Sequence, residues 1–541
     1  MANTIYGLIK GTLRSVKDRK IISYYNRTFI DSEVLDLIDR FAYFLKCNDI
    51  NKGDVVAICL PNIPAAVIAV YAVNKCGAIA NLIHPLTPPK GLKNILLKTN
   101  SRMLIYLDIF YVKGVSELSD IYTVLCNVSD DMGMPMRLFA RMATAKARKS
   151  LKLPNTIGYK ECLKQKGEVN VAIDSEDIAA YLHSGGTSGE PKTIMISNRS
   201  INACAIKTGA LVEDIRGNTD AMLMVLPLFH GFGLGVAMHS TIYKGGKVVM
   251  MPKFSPKQAV KLIRKEGVTF IAGVPQMYNK LMDIKGFNGP ALKKFKNIYC
   301  GGDKLPKSIK DRFDALMRLN GNDIELLEGY GLTEMLTVSH VNVPGASRPS
   351  SVGRPLEGIR HKIIDENGNE LPIGKSGEIC LTGDTMMSGY LNDPEATDKT
   401  IITIDGVKWL KTGDCGYTDE DGFLYFRERI KRLIKISGIN VFPQEIEYTV
   451  SEMDEIKYAC ALEMNYDNKA AVKLYVVLNK GYKLNRELEE KIRNYISERL
   501  MKYSVPKIIE ARDSLPLTQI GKVDYMKLYE QEKEFLFPAV L

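Results

Sequence analysis

The sequence predicts an α/β protein with a large N-terminal domain of α/β subdomains, residues 1–430, followed by a small mobile C-terminal α+β domain, residues 431–541. A chain of 541 residues is too long for one core and must divide its interior among subdomains. Between Val55 and Phe295 apolar strand-like runs alternate with amphipathic helical stretches, the pattern of sheets whose strands are mainly parallel. After Thr412 the texture changes to a Gly-rich turn, a basic cluster at Arg427–Lys435 and a compact set of short strands and helices, which places a boundary near Ile430.

In chain order, strands are expected at Val55–Cys59, Met103–Leu107, Ile178–His183, Ala221–Pro227, Lys247–Met251 and Thr269–Val274, with Pro256–Glu266 an amphipathic helix. Ala65–Ile83 is the most apolar early stretch. Asn74, Lys75 and Asn81 interrupt it, so it reads as a buried helix and strand and not as a membrane span. Arg137–Lys152 sets Arg137, Arg141, Lys146, Arg148, Lys149 and Lys152 among Leu138, Phe139, Met142 and Leu151. A solvated helix or loop is expected there, with peripheral membrane contact as the alternative. Ile324–Leu327 is strand-like, and near the C-terminus Lys457–Met464, Ala471–Leu478 and Pro506–Arg512 read as strands around an amphipathic helix at Asn485–Leu500.

Hydrophobic residues at 45% and charged residues at 25% argue against a largely disordered or membrane-spanning chain. Met1–Lys20 mixes Lys10, Arg14, Lys17 and Lys20 with short apolar pieces, unlike a secretory signal, and a cytoplasmic location is expected. Cysteines without metal-ligand spacing read as reduced, mostly buried thiols. The net charge of +11 suits anionic partners, but over this length it is modest. A non-catalytic nucleic-acid-binding protein draws on that charge alone and leaves the motifs below unexplained, so no nucleic-acid partner is expected.

The densest chemical signal is Ser184-Gly185-Gly186-Thr187-Ser188-Gly189-Glu190-Pro191-Lys192, between a strand and a capped helical run that begins near Ser197. Glycines let backbone amides approach phosphate oxygens, hydroxyls donate hydrogen bonds, and Lys192 adds a compact positive charge, although a surface turn has a similar composition. A P-loop would close on Gly-Lys-Ser/Thr, and here Pro191 precedes Lys192. Downstream follow Tyr330-Gly331-Leu332-Thr333-Glu334, Thr412-Gly413-Asp414, the run from Arg429 through Lys431 and Lys435 to Gly438, and Gln519-Ile520-Gly521-Lys522-Val523-Asp524.

In this order the segments resemble the adenylate-forming superfamily, which contains acyl- and aryl-CoA synthetases, luciferases and the adenylation domains of nonribosomal peptide synthetases. The resemblance implies that family's fold, with ATP and Mg²⁺ at the site and CoA as co-substrate. It implies a phosphate loop of Ser184, Gly185, Gly186, Thr187, Ser188, Gly189 and Lys192, with Gly302 and Gly331 in the same nucleotide-binding set. Tyr330 would pack on adenine, Thr333 contact the α-phosphate, and Glu334 hold Mg²⁺. Asp414 would accept from the ribose hydroxyls, with Arg429 reaching ribose or phosphates. Lys431 would be the hinge of the mobile domain, Lys435 to Gly438 a wall of the pantetheine tunnel, and Lys522 the adenylation lysine. The implied catalytic set is Lys522, Thr187, Glu334 and His230. Gly185 and Asp303 depart from the family's usual hydroxyl and small apolar residues.

His230, in Pro227-Leu228-Phe229-His230-Gly231-Phe232-Gly233-Leu234-Gly235, stands where amino-acid-activating members have an Asp, which disfavours an amino acid substrate. Gly231, Gly233 and Gly235, with Gly301 and Gly302, leave room for an acyl chain or ring; close helix packing would use the same glycines. The expected reaction is activation of a fatty or other apolar acid to acyl-AMP, then transfer to CoA. A stand-alone adenylation protein that loads a carrier protein would share every ATP-site motif.

Overall fold

A computed structural model describes residues 3–111, 115–134, 136–138, 155–184, 192–212, 219–437, 439–467, 469–516 and 523–536. Of these, one compact unit takes 3–184, 192–360 and 381–410, and a second takes 361–380 and 411–536. Most of the Arg137–Lys152 stretch lies outside the described residues.

The first unit holds two large sheets. The nine-stranded sheet runs in spatial order Arg354–Pro355, His340–Val341, Leu326–Tyr330, Asn297–Cys300, Phe270–Gly273, Ala221–Met224, Lys247–Met250, Lys20–Tyr24 and Arg27–Ile30. Its strands are parallel from Leu326–Tyr330 to Lys20–Tyr24 and antiparallel at both edges. Helices Pro256–Glu266, Pro275–Met282 and Lys307–Leu319 bury Val260, Ile263, Tyr278, Leu281, Phe313 and Met317 against Leu223, Val249, Ile271, Ile298 and Leu326. Gly267, at φ +63°, ends the first of these helices in the left-handed conformation that glycine adopts without strain.

The eight-stranded sheet runs Gly389–Tyr390, Thr193–Ser197, Ile178–His183, Ile79–Leu82, Val55–Cys59, Ser101–Leu107, Tyr122–Cys126 and Thr156–Gly158. The first three strands pair antiparallel, and from Ile178–His183 to Thr156–Gly158 the pairing is parallel. Helix Pro64–Lys75 is apolar all round because it is buried all round, from Pro64 through Asn74. The polar interruptions of that stretch are each satisfied. Asn74 Nδ2 donates to Asn198 Oδ1 at 2.8 Å, and its Oδ1 accepts from Tyr6 N at 3.0 Å. Lys75 pairs with Asp39 at 2.6 Å, and Asn81 Nδ2 donates to Thr99 Oγ1 at 2.9 Å.

The strand expected over Ala221–Pro227 ends at Met224. There the Asn62 side chain takes over the backbone pairing: its Nδ2 donates to Met224 O (3.2 Å) and Leu226 O (2.9 Å), and its Oδ1 accepts from Leu228 N (2.9 Å). A π-helical stretch, Phe232–Ser240, follows. Gly231 just before it and Gly233 and Gly235 within it give it no hydrophobic period to read.

In the second unit Leu424–Arg429 pairs antiparallel with Asp414–Thr418 of the strand Val407–Thr418. Beyond it come the hairpin of Ile434–Ile436 with Ile439–Val441 and the antiparallel pair Ile456–Tyr466 and Lys469–Leu478, the latter parallel to Ile508–Ala511. Helices Pro443–Ser451 and Arg486–Ser497 bury Ile446, Val450, Leu488, Ile492 and Ile496 on Val472, Leu474 and Val476. Asn485 caps the second helix by accepting from Leu488 N at 2.8 Å. Among the described residues no helix is long and apolar enough to cross a membrane.

Candidate active site

Strands Ile178–His183 and Thr193–Ser197 run antiparallel with His183 opposite Thr193. The next residue on each side continues the pairing. Ser184 N donates to Lys192 O at 3.0 Å and Lys192 N donates to Ser184 Oγ at 3.2 Å, so the two ends of the expected phosphate loop meet. Gly185, Gly186, Thr187, Ser188 and Gly189 lie outside the described residues.

His183 lies at the base of this loop, 2.7 Å from Asn81 Oδ1 through Nε2 and 3.3 Å from Thr193 Oγ1 through Nδ1. The Asn81 carbonyl oxygen can only accept, so Nε2 carries the proton and Nδ1 accepts from the threonine hydroxyl. Burial, with Lys98 adding to it, pushes the imidazole down to about 4, and the ring is neutral at pH 7.

Strand Leu326–Tyr330 delivers the Tyr330–Glu334 segment. The chain then folds back through a 3₁₀ turn, Thr333–Met335, and through Leu336 and Thr337 at φ +46° and +86°. Gly331 is required by this reversal, because a Cβ there would lie 1.0 Å from Thr337 O. Tyr330 stands opposite His340 on the neighbouring strand, their rings 6.2 Å apart. Glu334 is fixed twice. Its carbonyl accepts from Met387 N at 2.8 Å, and its Oε1 accepts from the Tyr390 hydroxyl at 3.0 Å. Lys192 Nζ sits 4.5 Å from the centroid of the same Tyr390 ring. The last residue of the loop and the expected metal-side carboxylate are thus brought to one side chain.

Mg²⁺ keeps several waters and takes one or two carboxylates together with substrate phosphate oxygens. Among the described residues no group of three His, Cys, Asp or Glu could cage a metal. One partly exposed carboxylate, Glu334, beside a lysine that closes a Gly/Ser/Thr loop fits an ion that arrives with a polyphosphate.

His230 precedes the π-helical stretch, its ring 4.7 Å from that of Phe229, which is 4.6 Å from that of His84. It remains accessible, yet the surrounding protein strips solvent from its imidazolium and His84 adds repulsion, which together lower its pKa. Gly231, Gly233 and Gly235 serve close packing. A Cβ at each would come within 2.4 Å of Thr337 Oγ1, 2.0 Å of Pro227 O and 2.8 Å of Cys204 Sγ. Gly302 adopts φ +76°, which accounts for a glycine there without any ligand.

The second unit carries the remaining candidates. Asp414 is buried opposite Arg429, whose exposed guanidinium approaches it to 3.5 Å. The stretch of the strand just before it is held by Thr412 Oγ1, which donates to Ile379 O at 2.7 Å and accepts from Asp414 N at 3.1 Å. Lys431 lies in the 3₁₀ turn Ile430–Arg432, and Lys435 on the hairpin beyond pairs with Glu366 at 2.5 Å. Residues on either side of Lys431 are joined: Arg427 reaches Glu445 through two nitrogens at 2.8 and 3.1 Å, and Gln444 N donates to Glu428 at 2.8 Å. Gly438 and Lys522 lie outside the described residues.

Residues 12–391 match the family model described as AMP-binding enzyme, and residues 445–522 match the AMP-binding enzyme C-terminal domain. A long-chain-fatty-acid–CoA ligase of Bacillus subtilis (strain 168) is 32% identical over 545 residues, 98% of this chain and 95% of that protein. The chain belongs to the AMP-binding enzyme family. A long-chain-fatty-acid–CoA ligase of Escherichia coli O6:H1 is 28% identical over 506 residues, covering 91% of this chain and 88% of its own. An anthranilate CoA ligase solved with anthranoyl-AMP superposes with a TM-score of 0.83 at 22% identity, over 98% of this chain and 97% of its own. That likeness shows the shared fold of adenylate-forming enzymes.

Three residues of this AMP-binding enzyme were not singled out from sequence. His183 ends a strand whose apolar texture hides it, and Tyr390 stands in a strand only two residues long. Glu328, in strand Leu326–Tyr330, is buried and accepts from Leu305 N at 2.9 Å, and burial raises its carboxyl to about 7. A Glu inside an apolar run was its only signal.

Proposed function

We propose that the chain joins a fatty or other apolar carboxylic acid to CoA in two steps. In the first, a carboxylate oxygen attacks the α-phosphorus of ATP and the bond to the β-phosphate oxygen breaks, giving acyl-AMP and pyrophosphate. In the second, the CoA thiolate attacks the acyl carbonyl and AMP leaves. The observation that carries this reading is the convergence of Lys192 and Glu334 on one side chain at the closed end of the Ser184–Lys192 loop.

In this reading Lys192, Ser184, Gly185, Gly186, Thr187, Ser188 and Gly189 hold the β- and γ-phosphates, and Thr333 meets the α-phosphate. Glu334 would hold Mg²⁺, which when bound neutralises charge on the phosphates. Tyr330, with Gly302 and Gly331, frames the adenine, and Asp414 and Arg429 take the ribose. Lys522 stabilises the charge that builds on the α-phosphate during adenylation. The domain from residue 431 onward would then turn about Lys431, withdrawing Lys522 and presenting Lys435 to Gly438 for the thioester step. His230, neutral at pH 7, would donate a ring N–H to an acyl carboxylate oxygen. ATP and CoA are both present in the cytoplasm, the location this reading gives the enzyme.

The preference for fatty acids draws on the activity named for the Bacillus subtilis and Escherichia coli relatives. The test is mass spectrometry of purified protein with MgATP and a panel of fatty, aryl and amino acids, with and without CoA. Acyl-CoA from the fatty acids is expected. Acyl-AMP that persists with CoA present would move the acceptor to a carrier-protein phosphopantetheine, and no adenylate from any acid would overturn the reading.

A further inference from the structure

The proposed reaction assigns no role to Tyr390, although two of its charged groups meet there. The Gly389–Tyr390 strand pairs with Met195 and Ile194 of the strand that leaves the phosphate loop, and Leu391 N donates to Thr193 O at 2.9 Å. Tyr390 N donates to Thr397 Oγ1 at 2.9 Å, and the residue is only 7% exposed. The ring is therefore fixed from behind before it touches either charge. Its hydroxyl donates to Glu334 Oε1 at 3.0 Å, a charge-assisted bond, and its face lies 4.5 Å from Lys192 Nζ, a cation–π distance. Among the described residues neither Lys192 nor Glu334 closes an ion pair. A carboxylate and an ammonium are thus placed on one phenol, the first at its hydroxyl and the second at its ring face.

We propose that Tyr390 is a positioning residue for the MgATP site: its hydroxyl aims the Glu334 carboxylate at the metal, and its ring face holds the Lys192 ammonium toward the phosphates. The inference rests on the roles given above to Glu334 and Lys192. It separates two functions by chemistry. Phenylalanine at 390 keeps the face and loses the tether, whereas leucine loses both.

The experiment is equilibrium ATP binding by calorimetry without acid substrate, so that nothing turns over, in EDTA and across a Mg²⁺ titration. Tyr390→Phe is expected to bind ATP in EDTA as the parent does, yet to need about 3- to 10-fold more Mg²⁺ for the half-maximal tightening of ATP binding. Tyr390→Leu should in addition weaken ATP binding in EDTA by about 2- to 5-fold. In Glu334→Gln, which already lacks the carboxylate, adding Tyr390→Phe should change the Mg²⁺ requirement no further. An unchanged Mg²⁺ requirement in Tyr390→Phe, or an equal loss in the Glu334→Gln background, overturns the positioning role. A parent protein that binds no ATP under any condition overturns the proposed function and this inference together.

Discussion

His183 and His239 are each clasped between two partners, and both are legible in the sequence only as histidines in apolar surroundings. His239 is fully buried, 3.0 Å from the Tyr71 hydroxyl through Nδ1 and 2.9 Å from Asn202 Oδ1 through Nε2. Burial holds His239 down to about 3 and His183 to about 4, whereas in the unfolded chain each takes a proton near pH 6.5. Above pH 6.5 neither state binds that proton and the full stability is present. As the pH falls below 6.5 the unfolded state gains protons that the folded state refuses, so stability drops by about 1.4 kcal/mol per pH unit for each ring. Urea unfolding midpoints should therefore decline from pH 7.5 to 5.0, and His239→Gln, whose amide can still donate to Asn202, should make that decline shallower. An unchanged slope would place His239 elsewhere than between these partners. Asn74 and Asn81 teach the same lesson about reading residues. The sequence shows polar breaks in an apolar stretch, but Asn198 and Thr99, which satisfy them, are paired with them only by the fold. At the catalytic scale, Lys522→Ala should lower pyrophosphate release by about 10²- to 10³-fold. It should leave thioester formation from supplied acyl-adenylate largely intact, and equal loss of both steps would remove Lys522 from its role.

Elements with a strong period were legible: Pro256–Glu266 and Ile178–His183 form as the spacing requires. Short or aperiodic ones were not. The edge strand Gly389–Tyr390 is two residues long, and its existence depends on a partner nearly 200 positions earlier. The segment around Lys431 is a case where the structure adds what spacing lacks. Arg427 lies before the expected hinge and Glu445 after it, and their two-pronged pair is backed by the Phe442 ring, 3.7 Å from the guanidinium. The swing proposed about Lys431 would part this pair, which therefore favours the arrangement seen here. Glu445→Gln should change the ratio of the two half-reaction rates by about 3- to 10-fold while altering the slower half-reaction and the faster one in opposite directions. Lys431→Pro, which restricts φ at the hinge itself, should depress the thioester step far more than pyrophosphate release. Half-reactions timed separately, one by pyrophosphate and one by acyl-CoA from supplied adenylate, decide both.

For the whole molecule, family membership was legible in the order of the motifs, since the Ser184–Lys192, Tyr330–Glu334, Thr412–Asp414 and Gln519–Asp524 segments follow one another as the resemblance to that family requires. Acid selectivity was not, because it depends on volume and polarity that spacing does not encode. The glycines near His230 illustrate why: as letters they suggest open space, and in the structure Pro227 O, Thr337 Oγ1 and Cys204 Sγ fill it. In the proposed reading His230 faces the acid, and what would choose among acids there is charge. An amino acid brings an ammonium group that must find a carboxylate once water is excluded, and His230, held neutral and flanked by Phe229 and His84, offers none. Burying an ammonium without a partner costs several kcal/mol, so amino acids should be adenylated at least about 10²-fold less efficiently than fatty acids of comparable length. Competition assays that follow pyrophosphate release with a fatty acid and its α-amino derivative measure this ratio directly. Comparable kcat/KM for the two would mean that an acidic side chain, and not His230, faces the α-substituent, and would shift the acid class away from the fatty series.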